Sequence, residues 1–272
     1  MFDQPDQSHH AILPRARGQI RAGFAWRDGA TRLARLYQAG SAKAMLPPAP
    51  GCEMVLLNTS GGLTGGDWMQ IAVAQDPGTR LTVTTQTAER AYRSTGGQAQ
   101  VSARFSVAAG AHLDLLPQET ILFDRAALLR DQEVALIGDA TCLWVETLVL
   151  GRAAMGEVLT RLELRDRRRV TRDGRPVFVE NLYLDDGALA GRDSPATLAG
   201  ARALATLVMV APDAADRLNC ARAALGRDGA ASAFDGKLVA RLMAGDGWPL
   251  RQALMRLIGA IRPGPLPRVW QI

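Results

Sequence analysis

The chain has 272 residues, of which 47% are hydrophobic, and carries a formal net charge of +5. It contains only three histidines, at positions 9, 10 and 112, and three cysteines, at positions 52, 142 and 220. The wide spacing of the cysteines excludes a Cys-x-x-Cys pair, and so few histidines and cysteines disfavour a structural zinc site, a His-rich catalytic metal site and a disulfide framework.

Membrane insertion, export and nucleotide hydrolysis are also unexpected. The apolar runs are shorter than the roughly 18–20 residues that cross a bilayer. The first ten residues are polar and lack the basic and apolar regions of a signal peptide, which predicts a soluble cytoplasmic protein. The only two lysines, Lys43 and Lys237, lie outside any phosphate-binding pattern G-x-x-x-x-G-K-[ST], so a GTPase or ATPase is not expected.

The first two thirds of the chain is predicted to be mainly β-structure. Asp28-Gly29 lies between two β-like runs and predicts a hairpin, and alternating runs follow at 71–74, 81–85 and 98–107. The last of these would place Ala99, Val101, Ala103, Phe105 and Val107 on one face. Turn signals separate the runs, and Asp173-Gly174 predicts a second hairpin. Many short strands at this spacing favour a sandwich, barrel or solenoid over alternating βαβ units.

The last third contains the predicted helices. Ser194-Pro195 could begin a helix, although residues 205–210 compete as a strand. Residues 213–225 predict a short helix after Pro212, and residues 248–261 predict a longer one that Pro263 ends. The composition indicates no linker between domains. We therefore expect a flexible segment over residues 1–14 and one mainly β domain with about two C-terminal helices over residues 15–272.

Two polar segments are the first candidates for function. Residues 58–67 (NTSGGLTGGD) contain four glycines within six positions, which allows either an anion-binding or docking loop that presents Asp67, or a pair of tight β-turns. Residues 84–94 (TTQTAERAYRS) place hydroxyl, amide and charged side chains where a strand is expected. Such a strand either lines a hydrated channel or a subunit contact, or lies exposed at a sheet edge.

Other acidic and basic residues offer weaker signals. Glu146 and Glu157 stand among apolar neighbours, so each is either directed outward or buried with a partner. Six arginines between 165 and 175 suggest nucleic-acid binding, but the absence of interleaved aromatic residues favours a solvated hairpin or a patch that meets an acidic protein. Ser60 and Ser94 lack the G-x-S-x-G pattern, and His112 is the only histidine beyond the N-terminus, so no catalytic triad can be assembled.

Five ordered motifs resemble one family. They are NTSGGLTGGD at 58–67, TTQTAERAYRS at 84–94, PQETILFDRA at 117–126, the group of Glu146 with Gly151-Arg152 and Gly156-Glu157, and RVWQI at 268–272. Their residues, order and spacing resemble the UreD family of urease accessory proteins, also called UreH. The resemblance spans the chain from about residue 15 to the end.

The resemblance implies a many-stranded helical β-arrangement, similar to a β-solenoid or sandwich. It also implies a non-enzymatic chaperone that acts with UreF and the GTPase UreG on apo-urease and helps to deliver nickel to the urease active site. Neither a nucleic acid nor a membrane is an expected partner, and no tightly bound cofactor is expected, although Ni²⁺ could bind transiently.

We expect any nickel contacts to involve carboxylates, because imidazole and thiolate ligands are scarce. The acidic residues of the resembling motifs predict transient contacts at Asp67, Glu89, Glu146 and Glu157, with Asp67 first because a glycine-rich loop presents it. An alternative from a different class is a β-sandwich hydrolase whose site lies in loop 58–67, with Ser60 or Asp67 as the working group.

Overall fold

The computed structural model describes residues 14–271, in which seventeen strands and three α-helices are formed. The first ten strands are β1 (Arg17–Arg27), β2 (Ala30–Gly40), β3 (Ala42–Met45), β4 (Cys52–Asn58), β5 (Trp68–Gln75), β6 (Arg80–Thr85), β7 (Glu89–Ala91), β8 (Ala99–Val107), β9 (His112–Leu116) and β10 (Thr120–Leu122). The others are β11 (Ala126–Leu136), β12 (Thr141–Leu150), β13 (Leu162–Arg172), β14 (Arg175–Leu184), β15 (Ala203–Val210), β16 (Gly229–Phe234) and β17 (Lys237–Ala244). The helices are α1 (Asp186–Ala190), α2 (Leu218–Leu225) and α3 (Gly247–Ile261).

The strands form two sheets through which the chain winds as a β-solenoid. The first sheet has the order β14-β13-β11-β8-β5-β1-β2, and the second has the main order β16-β17-β15-β12-β9-β6-β4-β3. From β4 to β13 the long strands alternate between the second sheet and the first. From β5 onward each therefore lies parallel to the strand one winding earlier, as β8 does to β5 and β9 does to β6. Antiparallel partners close both ends of the first sheet, with β2 on β1 and β14 on β13.

The two edges of the solenoid differ. Between β5 and β12, the segments that pass from the first sheet to the second are turns of four residues, at 76–79, 108–111 and 137–140. Segments that return to the first sheet are longer, at 59–67, 86–98, 117–125 and 151–161. We call these returning segments the crossovers. Backbone hydrogen bonds join each crossover to the next, for example Leu63 N to Arg90 O at 2.7 Å and Glu89 N to Glu119 O at 2.9 Å.

Two apolar cores hold the fold together. Alternation with a period of two directs apolar side chains between the sheets, where Ile20, Met54, Phe105, Leu113 and Trp144 are fully buried. A second core lies on the outer face of the second sheet, where α2 and α3 cover β12, β15 and β17. Helix α3 contributes the buried residues Leu250, Leu254, Leu257, Ile258 and Ile261 at helical spacing.

The predicted mainly β solenoid-like fold is confirmed, and so are several of its parts. Both Asp-Gly hairpins form with left-handed backbone at each residue, φ being 51° and 73° at 28–29 and 49° and 77° at 173–174. Helix α3 and the alternation over 99–107 also match their predictions, with Val101 only half-buried. The predicted flexible segment lies almost wholly outside the described residues, and the predicted extent of a single domain stays a prediction.

In the last third the structure decides between two alternatives and shortens one predicted helix. Residues 194–200 form turns rather than a helix, and the alternative of a strand over 205–210 is confirmed by β15, which takes a central position between β12 and β17. Both faces of β15 are largely buried, so its sequence is a continuous apolar run rather than an alternating one. The helix predicted from residue 213 begins only at Leu218, since residues 212–217 form turns.

Candidate functional site

A layer of polar side chains crosses the otherwise apolar space between the sheets. The first sheet contributes Arg130 and Gln132 from β11, Asp166 and Arg168 from β13, and Glu180 from β14. The second contributes Glu146 from β12, Thr206 from β15 and Arg241 from β17. We call these eight residues the polar layer. Strand register brings them together, because Arg130 is the partner of Asp166, Arg168 of Glu180, and Glu146 of Thr206.

The centre of the polar layer is a buried ion-pair network. Arg130 donates to Asp166 through two nitrogens, Nε to Oδ1 at 2.9 Å and Nη2 to Oδ2 at 2.5 Å. Its third nitrogen, Nη1, lies 2.9 Å from Glu146 Oε2 and donates to Thr120 Oγ1 at 3.1 Å. Arg168 also donates to Asp166. The Asp166 side chain has no exposed surface and is therefore held wholly by two guanidinium groups.

Glu180 extends the network toward solvent. It accepts from Arg168 Nη1 at 2.8 Å and from Arg241 Nη2 at 2.6 Å. The Arg241 side chain is 60% exposed, so the polar layer reaches the surface at β17. On the other side, Glu146 Oε1 accepts from Gln132 Nε2 at 3.0 Å and from Trp144 Nε1 at 3.1 Å. Three arginines thus face three carboxylates, and the formal charges of the layer balance.

The charges within the layer keep its central groups ionised. Burial by itself would raise the pKa of Asp166, but the positive charges of Arg130 and Arg168 outweigh that effect and lower the pKa to about 2. Burial likewise opposes the charged form of Arg130, yet Asp166 and Glu146 raise the pKa of this guanidinium above its usual value. Both groups are therefore charged at neutral pH.

Two cavities adjoin the polar layer. The first, of about 140 Å³, lies between the sheets near the crossovers and is lined by Asn58, the segment 85–90, Gln118, Thr120, Arg130, Gln132 and Glu146 among apolar side chains. The second, of about 510 Å³, lies on the side of β14 and β17 and is lined by Glu146, Arg168, Glu180, Arg227, Asp228 and Arg241 among others. Both volumes are sufficient for several water molecules. Glu146 lines both cavities.

Glu89 is the second carboxylate of the first cavity. Asn58 Nδ2 donates to both of its oxygens, at 3.3 and 3.2 Å, and the backbone amide of Arg90 donates to Oε1 at 3.0 Å. Burial raises the pKa of Glu89, and these hydrogen bonds offset only part of that effect. Residues 85–90 of the segment 84–94 therefore line the first cavity, while β7, which among the described strands pairs only with β10, ends its branch of the second sheet and Gln86, Thr87 and Arg90 are exposed, so the segment has features of both of its interpretations.

The structure separates the four predicted metal contacts into two pairs. Glu89 and Glu146 meet at the first cavity. Asp67 instead closes the glycine-rich loop, since its oxygens accept from the amides of Ala16 at 2.7 Å and Thr64 at 2.8 Å. Glu157 pairs with the Arg152 guanidinium, 2.9 Å from its Nε, and caps the amides of Arg152 and Asp124. Asp67 and Glu157 thus lie apart from the first cavity and organise crossovers.

Sequence reasoning missed the residues that surround Glu146. The arginine-rich segment was interpreted as a solvated hairpin, which is correct for the hairpin but wrong for Arg168, whose side chain is buried with Asp166 in the polar layer. Arg130 and Gln132 were not singled out because Asp131 and Glu133 lie between and after them. Both faces of β11 are therefore polar over these four positions, and the sequence does not show which face is inward. A signal was nevertheless present, since Arg168 and Asp166 occupy the inward positions that the buried Leu164 and Val170 define.

Neither a tight metal centre nor a membrane span is found in the part of the chain that the structure describes. Among residues 14–271, no group of three or more His, Cys, Asp or Glu side chains is arranged to hold a metal ion. Within the same range, no helix combines the length and the apolar character that crossing a membrane requires.

Comparison with known proteins establishes the family. The family model described as UreD urease accessory protein matches residues 16–271. The chain belongs to the UreD family. Its similar relatives include the urease accessory protein UreD of Cereibacter sphaeroides, 54% identical over 95% of this chain and 96% of the relative. The UreD protein of Jannaschia is 50% identical over 100% of both chains. That of Rhizobium leguminosarum is 46% identical over 95% of this chain and 96% of the relative.

Membership of the UreD family gives the chain a role in urease maturation. The structure shows that the sequence motifs resembling this family lie together. The first three motifs and the Gly151 to Glu157 group lie wholly or largely in the four successive crossovers. The last motif packs beside the third crossover, where Gln118 Nε2 donates to Val269 O at 3.0 Å. The motifs of this UreD-family chain therefore form one continuous edge of the solenoid, next to the first cavity.

Proposed function

We propose that the chain is a non-catalytic, cytoplasmic chaperone that scaffolds the assembly of UreF and the GTPase UreG on apo-urease and helps to deliver nickel to the urease active site. The observation that carries this proposal is the family match over residues 16–271. The absence of a phosphate-binding loop from the sequence agrees with it, since GTP hydrolysis would then be supplied by a partner.

We further propose that Ni²⁺ passes through the interior of the solenoid, from the first cavity past Glu146 to the second. Among the apolar and arginine side chains that line this route are carboxylate, amide and hydroxyl oxygens. Such ligands suit Ni²⁺ less well than imidazole or thiolate, so they would hold the ion weakly and release it. Of the four predicted contacts, Glu89 and Glu146 support this route by their position, and the other two residues hold crossovers together.

The geometry gives less support to a hydrolase in loop 58–67. Ser60 donates its hydroxyl to Asn58 Oδ1 at 2.5 Å and to Gly62 O at 2.9 Å, so the hydroxyl is used to hold the loop. His112 is engaged elsewhere, on β9, with Thr141 and Asp114. Asp67 is occupied by backbone amides, as described above. The loop therefore matches the tight-turn interpretation of its sequence.

The nickel route is tested by removing the two cavity carboxylates. Glu89→Gln and the double variant Glu89→Gln/Glu146→Gln should lower urease activation and the nickel content of urease in cells that lack the natural copy, and the double variant should be the more severe. Glu133→Gln, the same change on the outer face of β11, is the matched control and should activate normally. Full activation by a folded double variant would exclude this route.

Scaffolding is tested separately by co-purification. The tagged wild-type chain should retain UreF and apo-urease, and both cavity variants should retain them equally well because the substitutions are internal. A wild-type chain that binds neither partner would refute the scaffold proposal, whatever the outcome for nickel.

A further inference from the structure

The two cavities meet at one side chain. Among the described residues, Glu146 is the only one that lines both. Arg130 lines the first cavity and Arg168 the second, and both donate to Asp166 between them. Any ion that moves from one cavity to the other along the proposed route therefore passes Glu146, whose carboxylate is paired with the Arg130 guanidinium.

Arg130 holds its two carboxylates unequally. Two of its nitrogens, Nε and Nη2, form a bidentate pair with Asp166. Only Nη1 contacts Glu146, and the same nitrogen also donates to the Thr120 hydroxyl. Bidentate pairing of arginine with a carboxylate is the stronger and more directional arrangement. Arg130 can thus release Glu146 while it remains anchored on Asp166, and the Thr120 hydroxyl remains as an acceptor for the freed nitrogen.

A guanidinium at this position opposes the passage of cations. In a partly desolvated space a fixed positive charge acts on a nearby cation much more strongly than in water. Arginine side chains exclude cations from other protein pores in the same way. A metal ion that binds Glu146 Oε2 meets Arg130 Nη1, which already lies 2.9 Å from this atom, and the repulsion between the two cations favours displacement of the guanidinium.

We propose that Arg130 is the cation barrier of the internal route. While no metal ion is in the route, the Arg130 guanidinium is the cation bound to Glu146. When a divalent cation arrives, Arg130 rotates about its bidentate contact with Asp166 and releases Glu146. When the ion moves on, Arg130 returns to Glu146, so the site does not store metal. This inference rests on the proposed nickel route and adds the residue that controls it.

The test measures Ni²⁺ binding directly, by equilibrium dialysis of the purified chain with UreF present in every sample. Arg130→Gln should bind Ni²⁺ at least about tenfold more tightly than wild type, because close charge pairs of this kind are coupled by at least that factor. Adding Glu146→Gln should abolish the gain. Arg104→Gln is the matched control, since Arg104 pairs with Asp131 and Glu133 on the outer face of the first sheet, and it should bind as wild type does.

A folded Arg130→Gln variant that binds Ni²⁺ no more tightly than wild type would overturn the proposal. If Arg130→Gln alone fails to fold, Arg130→Gln/Asp166→Asn removes one positive and one negative charge together and should fold, because the polar layer stays neutral overall and Glu146 keeps Gln132 and Trp144 as hydrogen-bond donors. It should also show the tighter binding, since Glu146 is freed, and wild-type affinity in this variant would equally refute the barrier. These results do not depend on urease activation, so they separate failure of the barrier from failure of the nickel route.

Discussion

At the residue scale, Asp166 is the acidic group on which the polar layer depends most. Its side chain is fully buried and receives hydrogen bonds from Arg130 and Arg168. Asp166→Asn would leave two buried guanidinium groups short of a negative charge. We expect it to lower the free energy of unfolding by about 3–5 kcal/mol.

Urea denaturation checks this expectation. Asp131→Asn is the control, because Asp131 lies on the outer face of β11 with 37% of its side chain exposed. Surface ion pairs of this kind contribute only about 0–1 kcal/mol to the free energy of unfolding. Equal losses in the two variants would contradict the importance of the buried network.

The lowered pKa of Asp166 predicts how stability depends on pH. The pKa is about 2 in the folded chain, against an ordinary value of 3.8. A carboxyl whose pKa is depressed by folding stabilises the fold above the ordinary value, and this stabilisation is lost as the pH falls toward the folded value. The difference in stability between wild type and Asp166→Asn should therefore shrink between about pH 4 and pH 2. Denaturation curves across this range measure it, and a constant difference would show that Asp166 is not the titrating group.

Residues with a partner distant in sequence could not be placed from the sequence. Glu146 was recognised as either outward or buried with a partner, and the structure shows the second, but the partner is Arg130 rather than a nearby arginine. Asp67 was chosen because a flexible loop presents it. Its actual role depends on amides of Ala16 and Thr64, and backbone donors carry no signal in the sequence.

At the element scale, the crossovers are packed so closely that one glycine position has no room for a side chain. A Cβ at Gly65 would overlap Ser94 Oγ and the Gly96 carbonyl oxygen and would lie 2.6 Å from that of Gly97. Gly65→Ala should therefore destabilise the fold by about 1–3 kcal/mol, because the first crossover must move away from the second.

Thermal unfolding of Gly65→Ala checks this contact. Gly51→Ala is the control, because Gly51 has ordinary backbone angles and open space around its Cβ position. An unchanged melting temperature in Gly65→Ala would mean that the two crossovers are not packed as the structure has them.

Elements with strong local signals were the ones the sequence predicted well. An Asp-Gly pair tolerates the left-handed backbone of a tight hairpin, and both such pairs formed hairpins. Alternation was visible where one face is polar, as in β8, and was weak in β15, whose faces are both largely buried and whose apolar run was offered only as an alternative to a helix. The winding itself was not predictable from residue patterns alone, because it depends on which strands pair across more than thirty residues.

At the scale of the whole molecule, the C-terminal segment joins the second core to the crossovers. Trp270 is buried in that core and donates from Nε1 to Leu116 O at 3.0 Å. The neighbouring Val269 carbonyl accepts from Gln118 and Arg251, both at 3.0 Å. The end of the chain thus fixes the segment that carries Gln118, which lines the first cavity.

Trp270→Ala should therefore affect two regions. We expect a loss of about 3–5 kcal/mol in the free energy of unfolding, from the cavity left in the second core. Amide hydrogen exchange at residues 117–119 should become faster, since their anchor is weakened. Trp248→Ala is the control, because Trp248 is 59% exposed on the same helix layer, and it should change neither quantity appreciably. Unchanged exchange at 117–119 in Trp270→Ala would refute the connection.

The winding of the solenoid also determines the order in which the chain can fold during synthesis. The β1–β2 hairpin is local, and each later winding pairs in parallel with a strand that precedes it in the chain and is therefore synthesised first. A stack in which each unit contacts mainly its neighbours can grow by addition from one end. Arg130, Glu146 and Asp166 come from the last windings, so the ion-pair network closes only when this growth is nearly complete. Translation therefore produces the β1–β2 end of the solenoid first and the strands that carry the ion-pair network later.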